Sequence, residues 1–376
     1  MPIHLSPLRD LIRQRRRFHA DDQYVQEPTR MGSWLCIPFD KNDLGARMIP
    51  TGVVFWESPN IWIEGGDEFG NAVAGRPTRI FARITNCAWI PCFPTRISFA
   101  FFDPSLGIPW NAPRLIGTTY TLVPSWILGS GSRVVECPVA WIPPNGTTHC
   151  CLLVMCSCAT TNDEPVQPWL PVYDRHVAQH NVGVVAAKPG TTLSYSLQTA
   201  VLSPSTAKVT LAVHASFTDA PSAREAMASS RLGFASTLRD LDETEDEVQR
   251  RMLARRVALE YPHVANTRAV ALDPEEARRI VQVEKHRESR HWRQGAVVSP
   301  QRHPRDAFSE FTPVHEVEEA RSLESSTVQL TLRVPEETRG RRYFLLRVAQ
   351  FENGFVTGGY TFIVDTQAKA ASVHRR

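Results

Sequence analysis

The sequence predicts a mainly β protein of two antiparallel β-sandwiches, the second interrupted by a mostly helical insertion. Three observations predict it. From about residue 52 to 187, short runs of β-branched and aromatic residues alternate with Gly/Pro/Asn clusters, with no helical period between them. A second set of alternating runs begins at Thr192, stops near Phe217 and resumes at Thr327. Between these two parts, Ala223–Leu259 is dominated by Ala, Leu, Met, Arg and Glu, and Leu238, Leu241, Val248, Met252 and Leu253 recur near helical spacing.

Residues 1–50 read as an N-terminal extension. Leu5–Phe18 is expected to form a short amphipathic helix, with Leu8, Leu11 and Ile12 on one side and Arg13, Arg15, Arg16 and Arg17 around the rest. Such a helix is either an electrostatic anchor or a solvated tail. The first sandwich spans 51–187. Its expected strands are Thr51–Trp56, Asn60–Glu64, Thr78–Thr85, Arg96–Phe102, Leu115–Val123, Ser132–Trp141, Cys150–Cys158 and Asn181–Ala187. In Thr78–Thr85 the alternation puts Ile80, Ala82 and Ile84 on one face.

The second sandwich joins 188–218 to 323–368. Leu193–Thr199 and Lys208–Phe217 precede the insertion, with Val209, Leu211 and Val213 inward; Thr327–Val334, Tyr343–Gln350 and Phe355–Val364 follow it. Two strands or three bury too little alone, so the two groups are expected to share one core. Asn353-Gly354 is a strong hairpin signal. The insertion covers 219–322, with a second helix expected at Pro274–His286, opened by a proline in its first turn, and an irregular stretch at 287–312. Residues 369–376 form a tail.

The 376 residues are 42% hydrophobic, enough to bury real cores, and the 28 prolines favour loops and short strands over helices. A net charge of +3 and a pI of about 8.4 give no strong nucleic-acid signal. No run approaches the ~20 apolar residues of a transmembrane segment. The first residues lack the apolar core of about 7–15 residues that a secretory signal needs. The expected location is therefore cytoplasmic, or exported without a cleaved signal peptide. All eight cysteines fall between Cys36 and Cys158.

Pro59–Glu64 (PNIWIE), Gly75–Asn86 (GRPTRIFARITN) and Arg96–Pro104 (RISFAFFDP) resemble the CARDB-type domains, the cell-adhesion-related domains of bacteria. There a strand ending in V-x-N precedes a strand with a partner-facing aromatic run. Asp174–Val185 is similar to the D-x-x-x-A-x-x-N lead-in to a final hydrophobic strand. The resemblance covers about a third of the chain. It implies an Ig-like fold for the sandwiches and a structural or adhesive role, and it transfers no binding site.

The sharpest chemical candidate is the cysteine-rich strand. Thiolates and imidazoles suit copper(I) or zinc. Pleat alternation puts Cys150, Cys156 and Cys158 on one face, and Cys151 and Met155 on the other. Cys156 and Cys158 are near enough to share a metal, whereas Cys150 lies roughly 20 Å away along the strand. His176 and His180, with Asp174 nearby, complete the candidate metal set. Against it stands cysteine as a small core hydrophobe, and histidines as loop hydrogen-bonders. Cys87 and Cys92 are candidates for a disulfide, and Glu64, Asp67 and Glu68 for weak calcium binding.

No Gly-x-Ser-x-Gly elbow, Walker loop or Gly-x-Gly-x-x-Gly turn occurs in the sequence, so neither a catalytic site nor a cofactor is expected. In the insertion, Asp240, Glu243 and Glu245 precede Arg250, Arg251, Arg255 and Arg256 on one expected helix, a polarised surface suited to a charged protein partner. The expected function is thus a non-catalytic structural or adaptor protein that binds protein partners or self-assembles through its loops and insertion. The alternatives are metal binding through the cysteine strand, and carbohydrate binding or adhesion through Trp89, Trp110 and Trp169.

Overall fold

The computed structural model describes residues 32–39, 43–45, 47, 49, 54–67, 71–102, 106, 113–125, 131–144, 150–201, 207–218, 270–291, 311–320 and 324–367. These residues are mainly β and form four sheets. In the first half, β1 (Leu35–Cys36), β2 (Ile61–Glu64) and β3 (Arg79–Asn86) make one antiparallel sheet, with a later strand, β6 (Ser132–Glu136), on the other edge of β3. A second antiparallel sheet runs β5-β4-β7-β8, from β4 (Cys92–Phe102), β5 (Arg114–Val123), β7 (Cys151–Ser157) and β8 (Val177–His180). One buried cluster draws Leu35, Ile61, Ile80 and Ile84 from the first sheet, and Ile97, Phe99, Val154 and Cys156 from the second. Alternation is the cause: Ile80, Ala82 and Ile84 all reach this core, as the strand period requires.

In the second half, β10 (Thr192–Ala200), β13 (Val281–His291) and β15 (Glu324–Arg333) form a sheet in the order β10-β15-β13. The fourth sheet holds β9 (Val182–Ala186), β11 (Ala207–Thr218), β12 (Val270–Ala271), β14 (Thr312–Ala320), β16 (Tyr343–Glu352) and β17 (Phe355–Asp365), in the order β12-β11-β16-β17-β9 with β14 also on β11. Strands from before and after the long intervening segment therefore pair directly, Val213 opposite Val348 and Phe217 opposite Phe344. Their shared core gathers Leu197, Leu211, Val213, Phe217, Leu330, Leu332, Phe344 and Phe362. Each fully buried phenylalanine contributes about 1.5–3 kcal/mol. Val209, expected in that core, is buried instead in a small cluster with Val201 and Ala207.

β17 is buried along its whole length. One face of its sheet meets the second-half core, and the other meets Phe39, Ile49, Phe55, Trp56 and Val172 from the first half. The hairpin between β16 and β17 turns at Asn353 and Gly354, both at positive φ (50° and 89°), as the Asn-Gly pair predicts.

The structure differs from the sequence reading in several places. Residues expected in an N-terminal extension enter the core, with Trp34, Leu35, Cys36, Ile37 and Phe39 buried. Val182–Ala186, expected as a first-half strand, pairs in parallel with β17 in the second half. The expected helix Pro274–His286 is a short helix, α1 (Pro274–Ile280), followed directly by β13. Asp273 caps α1 by accepting from the N–H groups of Glu275 and Glu276, both at 2.9 Å. At Val281 the burial period changes to two: Val281 is buried, Gln282 exposed and Val283 intermediate. The described part of the expected helical insertion thus consists mostly of strands joined to the flanking sheets. Ala223–Leu259 and the expected helix at Leu5–Phe18 lie outside the described residues.

Candidate functional site

The densest polar constellation among the described residues surrounds His176. The turn after β7 is a 3-10 turn (Ala159–Thr161), and it returns the chain to pair Asp163 with Cys158 through two backbone bonds, 2.8 and 3.0 Å. Asp163 Oδ2 accepts the Leu35 N–H at 2.7 Å and so ties β1 down. Asp163 Oδ1 faces His176 Nε2 at 2.9 Å and Arg175 Nη2 at 2.6 Å, while His176 Nδ1 lies 2.7 Å from Asp174 Oδ1. Arg175 also covers the Trp34 ring, 4.0 Å from its centroid. Burial pushes the Asp163 carboxyl up, but the His176 hydrogen bond and the Arg175 charge outweigh it and hold it at about 2. Burial likewise opposes ionisation of Asp174, and hydrogen bonds from His176 and the Gln167 N–H hold its carboxyl below the usual value. Both ring nitrogens of His176 thus face carboxylates. These bonds tie β1, the turn after β7 and the start of β8 together, which is the arrangement of a structural clamp.

The second polar node joins the two halves. The chain leaves one sheet at His180 and enters the other at Val182, and Asn181 sits fully buried between. Its N–H donates to Trp56 O (2.7 Å), its carbonyl accepts from Thr361 N–H (3.1 Å), and its amide nitrogen donates to Gly359 O (2.6 Å). Arg347 meets Glu57 with two bonds, 2.7 and 3.1 Å, and the Thr361 hydroxyl also donates to Glu57. Burial alone raises Glu57, but the Arg347 charge and these bonds lower it below its ordinary value.

The residues expected to hold a metal are dispersed by this arrangement. Cys156 and Cys158 do share a face and a core with Cys150 packed against it, and Cys151 and Met155 lie in another cluster, as the pleat predicts. His176 has both nitrogens on carboxylates. His180 belongs to the other node: its Nδ1 lies 3.1 Å from Ser58 O, and burial lowers its pKa. Among the described residues, no group of three or more His, Cys, Asp or Glu side chains is placed to hold a metal ion. Cys87 and Cys92, the expected disulfide pair, have other partners. Cys87 packs with Cys36 in one apolar cluster, and Cys92 lies in the first-half core.

Asp67, a calcium candidate, holds Asn71 by two bonds of 2.8 and 2.9 Å, and Glu64 pairs with Arg79 at 3.2 Å. Trp89 and Trp169 are partly buried; Trp110 lies outside the described residues. Asp240, Glu243, Glu245, Arg250, Arg251, Arg255 and Arg256 also lie outside them.

An exposed apolar strip was not legible in the sequence. Six of the eight exposed large apolar side chains among the described residues fall between 115 and 142: Leu115, Tyr120, Leu122, Val134, Val139 and Ile142. Leu115 is 58% exposed and Tyr120 62%. β5 is the outer strand of its sheet, and among the described residues no strand pairs with its far edge. Gly117 lets Cys137 and Pro138 close on β5: a Cβ at Gly117 would meet Cys137 Sγ at 3.0 Å. No helix among the described residues is long and apolar enough to cross a membrane.

No protein-family model matches the chain, and no curated protein matches it. Among solved structures, a family 123 glycoside hydrolase from Clostridium perfringens is similar at 6% identity and a TM-score of 0.22, over 50% of this chain and 23% of that one. The native conformation of E. coli alpha-2-macroglobulin is similar at 9% identity and a TM-score of 0.19, over 83% of this chain and 16% of that one. The CupB6 tip adhesin from Pseudomonas aeruginosa is similar at 8% identity and a TM-score of 0.16, over 81% of this chain and 98% of that one. The chain spans less than a quarter of the length of the first two. At these scores the likenesses carry no argument about fold or function.

Proposed function

We propose that the chain is a non-catalytic structural or adaptor protein, built as two Ig-like β-sandwiches with the first of CARDB type, that binds a protein partner along β5. The observation that carries this reading is the exposed strip of Leu115, Tyr120 and Leu122 on an edge strand whose far side pairs with no other strand among the described residues. Contiguous apolar surface beside a free strand edge is a recognised docking surface, because a partner satisfies the edge and covers the side chains together. Tyrosine is the residue type such interfaces use as an anchor. The His176 and Glu57 nodes support the same reading, since their polar groups are engaged in holding the fold together.

The charged stretch from Asp240 to Arg255 is a second contact surface in this proposal. It rests on the sequence alone. A deletion that tests it must stay within 221–266, because 270–320 supply β12, α1, β13 and β14 to the second half.

The test is capture of partners from native cells by the tagged chain, beside Tyr120→Lys/Leu122→Lys and the 221–266 deletion. Circular dichroism and the thermal midpoint establish that each variant is folded. The reading requires a partner that is recovered with the intact chain and lost with the β5 variant. Recovery of the same partners by both folded variants would sink it, as would turnover of a substrate by the intact chain that single substitutions abolish.

A further inference from the structure

We infer that the partner segment docked on β5 is an extended acidic strand of alternating apolar and carboxylate residues. It adds to the edge of the sheet, with its apolar side chains over Leu115, Tyr120 and Leu122 and its carboxylates in the positive field of Arg133 and Arg96. This inference rests on the reading of β5 as the docking strand and adds the chemistry of what docks there.

The strand presents its apolar side chains in one row. Tyr120 stands opposite Arg96 and Thr118 opposite Ser98, on the face turned away from the first-half core. Plain alternation would turn Leu115 inward with Gly117 and Thr119. A bulge prevents this. Gly117 stands opposite Phe99, a core residue, whereas Leu115 stands opposite Ala100, on the face that Leu153 shares. Leu115, Tyr120 and Leu122 therefore share the outer face, and all three are exposed. From Leu115 to Val123 the strand carries no charge and no proline, the devices that keep other strands from an edge.

The neighbouring edge is different. β6 approaches β5 across one side of the first-half sandwich, where Cys137 and Pro138 reach Gly117. Arg133 stands opposite Ile84, a core residue, so it is on the inner side of its sheet, at the mouth between the two edges, and it is exposed. An inward-pointing charge protects an edge strand, and β6 has one where β5 has none. Glu136 is on the other face of β6, opposite Phe81, and Arg79 holds it by bonds of 2.6 and 2.8 Å. Among the described residues, neither Arg133 nor the exposed Arg96 makes an ion pair.

This side of the sandwich is thus apolar along β5 and basic at its margins. A strand added to β5 lies about 4.8 Å outside it and turns alternate side chains to opposite faces. One set covers the Leu115–Tyr120–Leu122 row, and the other points into the mouth toward Arg133. Charge complementarity makes that second set acidic. A second copy of the chain does not fit, because it brings the same arginines and, from Leu115 to Val123, no carboxylate.

The test titrates the full-length chain into a fluorescein-labelled peptide of alternating valine and glutamate, about ten residues long to match β5, and reads anisotropy at low salt. The control peptide has lysine at every glutamate. The glutamate peptide is expected to bind at least about tenfold more tightly than the lysine peptide, and Arg133→Glu to narrow or reverse that preference. Methylating the peptide's alternate main-chain nitrogens along one of its edges is expected to abolish binding, and along the other to leave it, since one edge faces β5. If Arg133→Glu does not fold, the two peptides on the wild-type chain decide the matter. No binding, equal binding of the two peptides, or indifference to methylation along both edges would overturn the proposal. A dimer in sedimentation that Tyr120→Lys/Leu122→Lys dissociates would overturn it too, by placing a second copy on β5. In each of these cases, a native partner lost with the β5 variant would leave the docking reading standing.

Discussion

Trp56 lies directly on Gly359. A Cβ built on Gly359 would fall 2.5 Å from the indole carbons Cε2 and Cζ2, closer than real side chains approach. The indole N–H donates to the Thr361 hydroxyl at 3.0 Å, two residues further along the same strand. The ring of one half thus seats on bare backbone of the other. Gly359→Ala is expected to destabilise the fold by about 1–3 kcal/mol, the usual cost of overpacking a filled core. The check is a denaturant titration in which the midpoint falls. An unchanged midpoint would mean that the indole moves aside freely.

Glu57 and Arg347 make the ion pair beside that contact, and both side chains are mostly buried, at 12% and 18% exposed. Removing one charge leaves the other uncompensated. Glu57→Gln is expected to cost about 3–5 kcal/mol. The double variant Glu57→Gln/Arg347→Met should recover part of that loss, and a double-mutant cycle on chemical denaturation reads the coupling. Additive losses would deny that the pair acts as a unit.

The clamp at His176 makes a pH prediction. Asp163 titrates at about 2 in the folded chain and near the ordinary value of 3.8 when unfolded. Its carboxylate therefore stabilises the fold above pH ~4, and that contribution, about 2 kcal/mol, is lost as pH falls from ~4 toward ~2. Asp163→Asn is expected to lower stability at neutral pH and to flatten the acid limb over that window. Thermal midpoints between pH 2 and 7 measure both effects. A variant whose acid limb matches the wild type would remove Asp163 from the account.

Helix α1 offers a smaller, local test. Asp273→Ala removes the acceptor for two N–H groups and is expected to cost about 1 kcal/mol. Asp273→Asn should retain most of it. Urea midpoints of the three proteins decide the matter, and equal losses from Ala and Asn would show that the cap bonds are not the source.

How far the fold is legible in the sequence depends on the range of each interaction. Ile80, Ala82 and Ile84 announce their face by alternation, Cys151 and Cys156 take the faces the pleat assigns, and Asn353-Gly354 announces its turn, because each signal is local. ARRIVQVEKH fits a helical and a strand period at once, and the ladder with β15, from Val281 opposite Leu332 to His286 opposite Thr327, makes the second half of it a strand. The parallel union of β9 with β17 joins positions far apart in the chain, and nothing local in Val182–Ala186 specifies it.

The site residues follow the same rule. The Asp174…Ala178…Asn181 pattern is local, and the structure gives each position a physical reason: a carboxylate on His176, a core methyl and a buried crossover amide. Gly359 within a strand was the one available signal for a close approach at the junction, since a glycine there often marks contact with another group.

The central claim is that the β5 surface binds a protein partner, and site-specific photo-crosslinking in native cells tests it most directly. A photoreactive phenylalanine at position 120 is compared with one at Glu337, an exposed position in the second half. The account predicts a discrete protein crosslink from position 120 that Leu122→Lys abolishes, and none from position 337. No crosslink from position 120, or the same products from both positions, would contradict it.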